Sequence, residues 1–265
     1  MRHGISLSTA LLVIFNLGFW VLWLASLALL KLIFKQDPLH SWVNLCSEYC
    51  YRAAVSVHNF WMFKILGMRL NVRGELPDHL SPIIISNHQT WTDIPVLHGA
   101  VTAGRGPILK FLVKRELLWV PIIGWICYAL NFPRLNRGQG NDARRRDYTA
   151  IKSFSESLQT ERGALLIFAE GTRFTQRKYK NQSPPYSNLL TPRPGGLKIA
   201  LESAPMGTPI VDVTIVYHGE TNFWQCLGGG TKDVDVIIRT FDTSEVNQIR
   251  DWLHERWPEK DRFFR

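Results

Sequence analysis

His88 and Asp93 are the two residues of this 265-residue chain best suited to move a proton. They lie in Asn87-His88-Gln89-Thr90-Trp91-Thr92-Asp93, directly after the apolar run Ile83-Ile84-Ile85-Ser86. An imidazole can take a proton from an alcohol near neutral pH. A carboxylate on its other nitrogen fixes the tautomer and stabilises the imidazolium. Five positions across a loop-to-helix junction bring such a pair within reach. The same spacing also describes a surface histidine beside a helix-capping aspartate, so the pair alone does not decide the matter. The chain has no Gly-x-Ser-x-Gly elbow and no cysteine in a helix-starting loop. A base without a protein nucleophile calls for a hydroxyl carried by the substrate. That is direct transfer rather than a covalent enzyme intermediate.

A second stretch, Phe168-Ala169-Glu170-Gly171-Thr172-Arg173, also follows an apolar run. The ends of such strands are where α/β sheets hold ligands. Gly171 permits close backbone approach, and Arg173 offers a planar fork suited to phosphate. A strand-terminal turn with an exposed arginine is the plainer reading of this stretch taken alone. Further cations come from Arg134 and Arg137 in the segment Gly124 to Arg137, from Arg177-Lys178-Tyr179-Lys180, and from Arg193 in Thr191-Pro192-Arg193-Pro194-Gly195-Gly196. Singly these are solvated charges. Together they suit a phosphate headgroup and a phosphorylated carrier. Arg144-Arg145-Arg146 reads as a solvated helix start or a contact with anionic lipid.

The elements that must position these residues begin with an apolar segment. No charge falls between Gly4 and Leu30, and about 20 apolar residues suffice to cross a bilayer. The run is too long for a signal peptide and no small-residue cleavage site follows. Residues 1–35 therefore read as a membrane anchor. The heavier positive flank after it (Lys31, Lys35, Arg52, Lys64, Arg69, Arg73) puts the bulk of the chain in the cytoplasm. A re-entrant hairpin that never crosses is the alternative. Residues 36–67 hold a second helix, with Trp42, Leu45, Tyr49, Ala53, Val57 and Phe60 at helical spacing. That stripe lies at a membrane interface or is buried against the domain.

Residues 68–265 read as the remaining domain. Strands are expected over 68–73, 83–86, 108–113, 164–168, 210–217 and 234–240. Helices are expected from Asp93 to Leu97, over 121–130, from Asn141 along Tyr148, Ile151, Phe154 and Leu158, from Gly196 through Ala200, and over 245–257. Asp93 is placed to cap the first of these, and Asp242 with Glu245 is spaced like a capping box. Residues 173–194 read as a polar basic loop. Strands alternating with helices give an α/β domain with a mixed central sheet flanked by helices, preceded by an N-terminal membrane helix.

Bulk properties narrow the function classes. Apolar residues make up 46%, enough for a core and against wholesale disorder. The net charge of +9 suits nucleic acid, an anionic membrane or a phosphate-bearing substrate. The membrane segment and the lack of a recognition motif favour the last two, so no nucleic-acid partner is expected. The load of 14 Phe and 10 Trp suits a membrane interface or lipid pocket. Of Cys46, Cys50, Cys127 and Cys226 only the first two are close, and no second pair follows, which argues against zinc. No cofactor or metal is expected.

The blocks Asn87-His88 to Asp93, Gly124 to Arg137, Phe168 to Arg173 and Thr208-Pro209-Ile210 resemble, in that order, the four blocks of the PlsC-like lysophospholipid acyltransferases, which include the 1-acylglycerol-3-phosphate O-acyltransferases. The resemblance covers roughly residues 60–260. It is nearest to the bacterial YihG type, through Lys114, Leu117-Trp119-Val120-Pro121-Ile123-Gly124-Trp125, Asp212-Val213-Thr214 and the ending Trp252-Leu253 to Trp257-Lys260-Asp261. Ala169 stands where the family usually has proline. The resemblance implies a glycerophospholipid-acyltransferase-like fold and transfer of a fatty acyl group from acyl-CoA or acyl-carrier protein to a lysophospholipid hydroxyl. Lysophosphatidate is the expected acceptor, with lysophosphatidylglycerol or lysocardiolipin as the alternatives. The donor is a co-substrate rather than a bound cofactor.

Carried over by residue, His88 is the base and Asp93 its orienting partner. Glu170, Gly171, Thr172 and Arg173 bind the acceptor's glycerophosphate. Arg137 adds a phosphate contact for which Arg134 competes, and Lys114 and Arg193 complete the substrate-binding set. The bacterial inner membrane, with the domain facing the cytoplasm, is the expected location. A membrane-tethered interaction protein with a decayed site is the main rival, and the presence of both His88 and Asp93 weighs against it. A metal-dependent hydrolase lacks a third ligand at recognisable spacing.

Overall fold

A computed structural model describes residues 2–33, 39–79, 81–104, 106–114, 116, 119–120, 123–130, 132–135, 141–157, 163–219, 221–246 and 248–264. Within it the strands, in chain order, are β1 (Arg69–Arg73), β2 (Ile83–Ser86), β3 (Leu109–Phe111), β4 (Val113–Lys114), β5 (Arg134–Leu135), β6 (Ala164–Phe168), β7 (Ile210–His218) and β8 (Asp233–Phe241). The helices are α1 (Arg2–Ile33), α2 (Leu39–Asn59), α3 (Asp93–Leu97), α4 (Ile123–Ala129), α5 (Asn141–Ser157), α6 (Gln176–Gln182), α7 (Gly195–Ser203), α8 (Phe223–Leu227) and α9 (Ile249–Arg262). Helix α2 continues into a π-helical turn, Phe60–Ile65, and α3 into another, His98–Thr102.

Six strands form one sheet in the order β1-β8-β7-β2-β6-β3. All neighbours run parallel except β7 and β8, which are antiparallel. The expected mixed sheet is therefore present. The run Ile83–Ser86 is buried along its length because the sheet is covered on both faces. Ile83 and Ile85 pack with Leu165, Ile167, Trp252 and Trp257 beneath α5, α7 and α9. Ile84 points the other way, to Leu166, Val211, Val213, Val96 and Leu97. A continuous apolar run is what a strand with no wet face requires.

Several expectations are corrected in detail. The strand over 108–113 divides into β3 and β4, and β4 pairs with β5 in a separate small sheet. The strand expected at 68–73 begins at Arg69 and is mostly exposed, as the edge of the sheet. Its polar residues meet β8 through Arg69 to Asp233 (2.6 Å) and Asn71 to Asp235 (2.9 Å), which suits an edge. The loop 173–194 contains α6, capped by Thr175 and ended by Ser183 in the left-handed region (φ 43°). Asp242 and Glu245 do form a capping box, but around a short 3-10 turn before α9. On α5, Ile151 and Phe154 are buried and Tyr148 is exposed, while Leu158 lies outside the described residues.

The N-terminal helices settle a second open point. The stripe Trp42, Leu45, Tyr49, Val57 and Phe60 is exposed, while Val43, Ser47, Cys50, Tyr51, Ala54 and Val55 face inward. It is therefore not buried against the domain. On α1 the exposed side chains include Leu7, Leu11, Ile14, Phe15, Leu22 and Trp23, whereas Ser6, Thr9 and Asn16 are buried. Asn16 donates to the Ala54 carbonyl (2.9 Å) and Trp61 donates to Thr9 (3.0 Å). The first half of α1 turns Ser6, Thr9 and Asn16 toward the protein, the second half buries Val21, Leu24 and Leu27, and large apolar side chains face out along the whole helix, unlike a helix packed in water. Tyr51 bonds His98 (2.8 Å) and the Leu109 carbonyl (3.2 Å), which fixes α2 against the sheet.

Candidate active site

Strands β2 and β6 lie side by side and parallel, with Ser86 opposite Phe168. The two stretches singled out in the sequence therefore leave the sheet together, at its carboxyl end. Asn87 makes the exit possible. Its side-chain amide donates to the Ile215 carbonyl and accepts from the Ile215 N–H, both at 2.9 Å. A side chain thus replaces the ladder bonds, and the backbone at His88 is free to turn away from β7.

His88 Nδ1 lies 2.7 Å from Asp93 Oδ2. The same oxygen accepts the backbone N–H groups of Gln89 (2.7 Å) and Thr90 (3.1 Å), and Oδ1 accepts the Tyr217 hydroxyl (2.7 Å). Asp93 is wholly buried, and four donors satisfy its carboxylate. It is the first residue of α3 and turns back into the loop, so it is not the N-cap expected from its position. Thr92 holds that place. Tyr217 is buried beside Asp93, and burial first, then that charge, push its phenol well above the ordinary value, so it stays a donor.

The imidazole stacks on Phe168, with centroids 3.8 Å apart and planes 12° from parallel. With Nδ1 committed to a carboxylate and the ring clamped, proton transfer is left to Nε2. The described residues offer Nε2 no partner, and 13% of the side chain is exposed. This is the geometry of a base awaiting a hydroxyl.

The turn after β6 lies beside it, tied by the Phe174 N–H to the His88 carbonyl (2.7 Å). Gly171 adopts φ 69°, a conformation that favours glycine, and the Arg193 side chain lies close over it, 3.3 Å from where a Cβ would stand. The Arg173 guanidinium lies 4.0 Å over the ring of Trp91, itself part of the His88 loop. Among the described residues no carboxylate pairs with Arg173 or Arg193, so both cations remain available for an anion. Thr172 and the Arg173 carbonyl both accept from Lys178 Nζ, at 2.6 and 2.9 Å.

Glu170 sits beneath this surface, wholly buried. The backbone N–H groups of Leu190 and His88 face its carboxyl, yet neither oxygen has a hydrogen bond of good geometry. Burial pushes its pKa up to about 8, with the charge of Asp93 adding to the rise, and those two N–H groups and Lys260 opposing it. It is held mostly neutral and has no surface open to a phosphate. Lys114 and Arg134 are placed by backbone alone, in β4 and β5, and Arg137 lies outside the described residues. Among the described residues no cluster of His, Cys, Asp and Glu could hold a metal ion.

Sequence reasoning missed Tyr217, Phe168 as the stacking platform, and Trp91. Tyr217 stands 124 positions from Asp93. No local spacing could have linked them.

Comparison with known proteins bears on what this geometry serves. A family model described as "Acyltransferase" matches residues 69–217, the span that holds both turns. The chain is 32% identical over 199 residues to 1-acyl-sn-glycerol-3-phosphate acyltransferase gamma of Mus musculus, covering 68% of this chain and 51% of that protein. It is 30% identical over 204 residues to the delta protein of Bos taurus, with the same coverage. The chain thus spans about half the length of the curated relatives it matches. The crystal structure of the 1-acyl-sn-glycerophosphate (LPA) acyltransferase PlsC from Thermotoga maritima superposes with a TM-score of 0.61 at 19% identity, covering 98% of this chain and 95% of that one. That likeness concerns the fold.

Proposed function

The chain belongs to the acyltransferase family, and from that premise we propose that it moves a fatty acyl group from an acyl thioester to the free hydroxyl of 1-acylglycerol-3-phosphate. The observation that carries this reading is His88, oriented through Nδ1 by a fully satisfied carboxylate and, among the described residues, unpartnered at Nε2, beside cations that no described carboxylate pairs. Among the described residues no hydroxyl or thiol bonds His88 to act as a protein nucleophile. The hydroxyl must come with the acceptor, and the cations suit the phosphate that such an acceptor carries.

The reaction then runs as follows. Arg173, with Arg193 across Gly171, holds the acceptor's phosphate. Nε2 of His88 takes the proton of the free hydroxyl, and Asp93 stabilises the imidazolium that forms. The oxygen attacks the thioester carbonyl, the carbon–sulfur bond breaks, and the thiolate takes the proton back from His88. Acyl-CoA and acyl-carrier protein both satisfy this chemistry.

Membrane contact belongs to the same reading, since the lysophospholipid acceptor and its product reside there. Helix α1 is long and apolar enough to cross a bilayer. Its first turns are bonded to the domain, Ser6 to the Trp224 carbonyl (2.8 Å) and Trp224 to His3 (3.0 Å), and Leu24 and Leu27 near its other end pack with Cys127, Leu130 and Phe132. A crossing of ~30 Å would drag those domain residues into hydrocarbon. We therefore place α1 and α2 along the membrane surface, outer faces immersed.

The test is an acceptor panel. Purified protein is given acyl-CoA or acyl-carrier protein with lysophosphatidate, lysophosphatidylglycerol or lysocardiolipin, and products are read by lipid mass spectrometry with thiol release in parallel. Phosphatidate formation from lysophosphatidate is the expected outcome. Transfer only to another acceptor corrects the headgroup. No transfer to any of them, from either donor, removes the enzymatic reading.

A further inference from the structure

The Trp257-to-Asp261 ending has no part in the chemistry above, yet it reaches the active site. Asp261 lies in the last turn of α9 and is nearly buried. Its carboxylate accepts the backbone N–H of Ser187 and of Asn188, each at 2.8 Å, and the Asn188 amide at 3.3 Å. The Asn188 carbonyl in turn accepts Gln89 Nε2 at 3.0 Å. Gln89 follows His88, and its own N–H is one of the donors to Asp93. Two residues beyond Asn188, the Leu190 N–H faces the carboxyl of Glu170.

Lys260, the neighbour of Asp261, explains how this turn is held. It is wholly buried, donates to the Val213 carbonyl (2.7 Å) and Thr214 (3.3 Å), and pairs with the buried Asp212. Val213 is the β7 residue opposite Ser86, where the chain departs for His88. A buried ion pair is a costly way to fill space, since apolar residues of the same volume do so at no desolvation penalty. Its gain here is a fixed position. The turn of α9 is bolted to the sheet at the level of the active site, and Asp261 is aimed at the 187–188 loop.

We propose that the last turn of α9 is a positioning element for proton transfer, in which Asp261 holds the 187–188 loop so that the Asn188 carbonyl fixes Gln89 and, through it, the turn carrying His88. This rests on His88 acting as the base. Asp261 touches no substrate and acts through Gln89. The effect falls on the orientation of the imidazole, and therefore on kcat more than on substrate binding.

The test uses the full chain with Asp261→Asn, Gln89→Leu and the double variant. Each single change is expected to lower kcat about 10- to 100-fold, as small misplacements of a catalytic group do, with KM for both substrates within about twofold. The double variant is expected to be no slower than the slower single, because both cut one chain of contacts. Amide hydrogen exchange without substrate is expected to quicken at residues 88–90 in Asp261→Asn. Wild-type kcat in either single variant, or losses that multiply in the double, overturns the proposal. A merely structural role would lower thermal stability and leave kcat per folded molecule unchanged. If Asp261→Asn does not fold, Gln89→Leu alone decides by its kcat. If the wild type transfers no acyl group, the base assignment fails, and unchanged exchange at 88–90 is then what overturns the positioning role.

Discussion

His88 shows how one ring is given two tasks by its neighbours. Nδ1 is spent on Asp93, whose other lone pairs are already taken by two backbone N–H groups and Tyr217. Glu170, close enough to feel the charge of Asp93, is instead left without good hydrogen bonds and is pushed up to about 8. Burial and a poor supply of donors thus favour the protonated form of Glu170 beside a carboxylate that is fully hydrogen-bonded. This has a sign for stability. Glu170 titrates from 4.5 in the open chain to about 8 in the fold, so the folded state binds the extra proton across that window. Its contribution to stability is full below 4.5 and is lost as pH rises through 8. Glu170→Gln mimics the neutral form. Urea denaturation should find it close to wild type at about pH 5 and more stable by up to ~4 kcal/mol at about pH 9. An equal difference at both pH values would contradict the assignment. The His88–Asp93 pair was legible in the sequence because both residues belong to one turn. Tyr217 and Asp261 were not, because only the tertiary fold brings them there, Tyr217 on β7 and Asp261 on α9.

Among the elements, the strands that carry the site could be read almost to the residue. Ile83–Ser86 and Ala164–Phe168 are short apolar runs closed by polar motifs, and burial on both faces leaves no other pattern. What could not be read was the connection at 173–194. Its charges and prolines outweighed the helix signal, although Thr175 supplies a proper N-cap and α6 forms. That helix has a use. Its Lys178 reaches back to Thr172 and to the Arg173 carbonyl, and so holds from behind the turn proposed to bind the acceptor's phosphate. Lys178→Met should keep the aliphatic stem and lose this tie. Steady-state kinetics should then give an acceptor KM raised about threefold to tenfold, the scale of one charge-assisted hydrogen bond, with kcat little changed. A fall in kcat at unchanged KM would mean that α6 serves the base instead.

For the molecule as a whole, the decisive feature is the direction in which α1 and α2 face. Composition alone announced a membrane segment, and a crossing helix was the simplest expectation. Hydrogen bonds from Ser6 and Asn16, neither legible as a partner beforehand, tie α1 along the domain. The outward residues of α2 are those of the predicted stripe. Immersed in a membrane they contribute by burial, at roughly 1.5–3 kcal/mol for each large side chain. Replacing both Leu45 and Tyr49 by Glu should therefore cut cosedimentation with anionic liposomes at least about tenfold. Activity on a short-chain, water-soluble lysophosphatidate should survive. Loss of both together would point to misfolding, and retention of both would remove α2 from the membrane contact.

Single-turnover acyl transfer to lysophosphatidate by His88→Ala decides whether His88 takes the proton of the acceptor hydroxyl. Wild type and variant are compared at equal folded concentration, with both substrates saturating. A general base of this kind contributes about 100-fold or more, so a loss of at least that size is expected, with acceptor binding retained. Transfer by His88→Ala at the wild-type rate would contradict it.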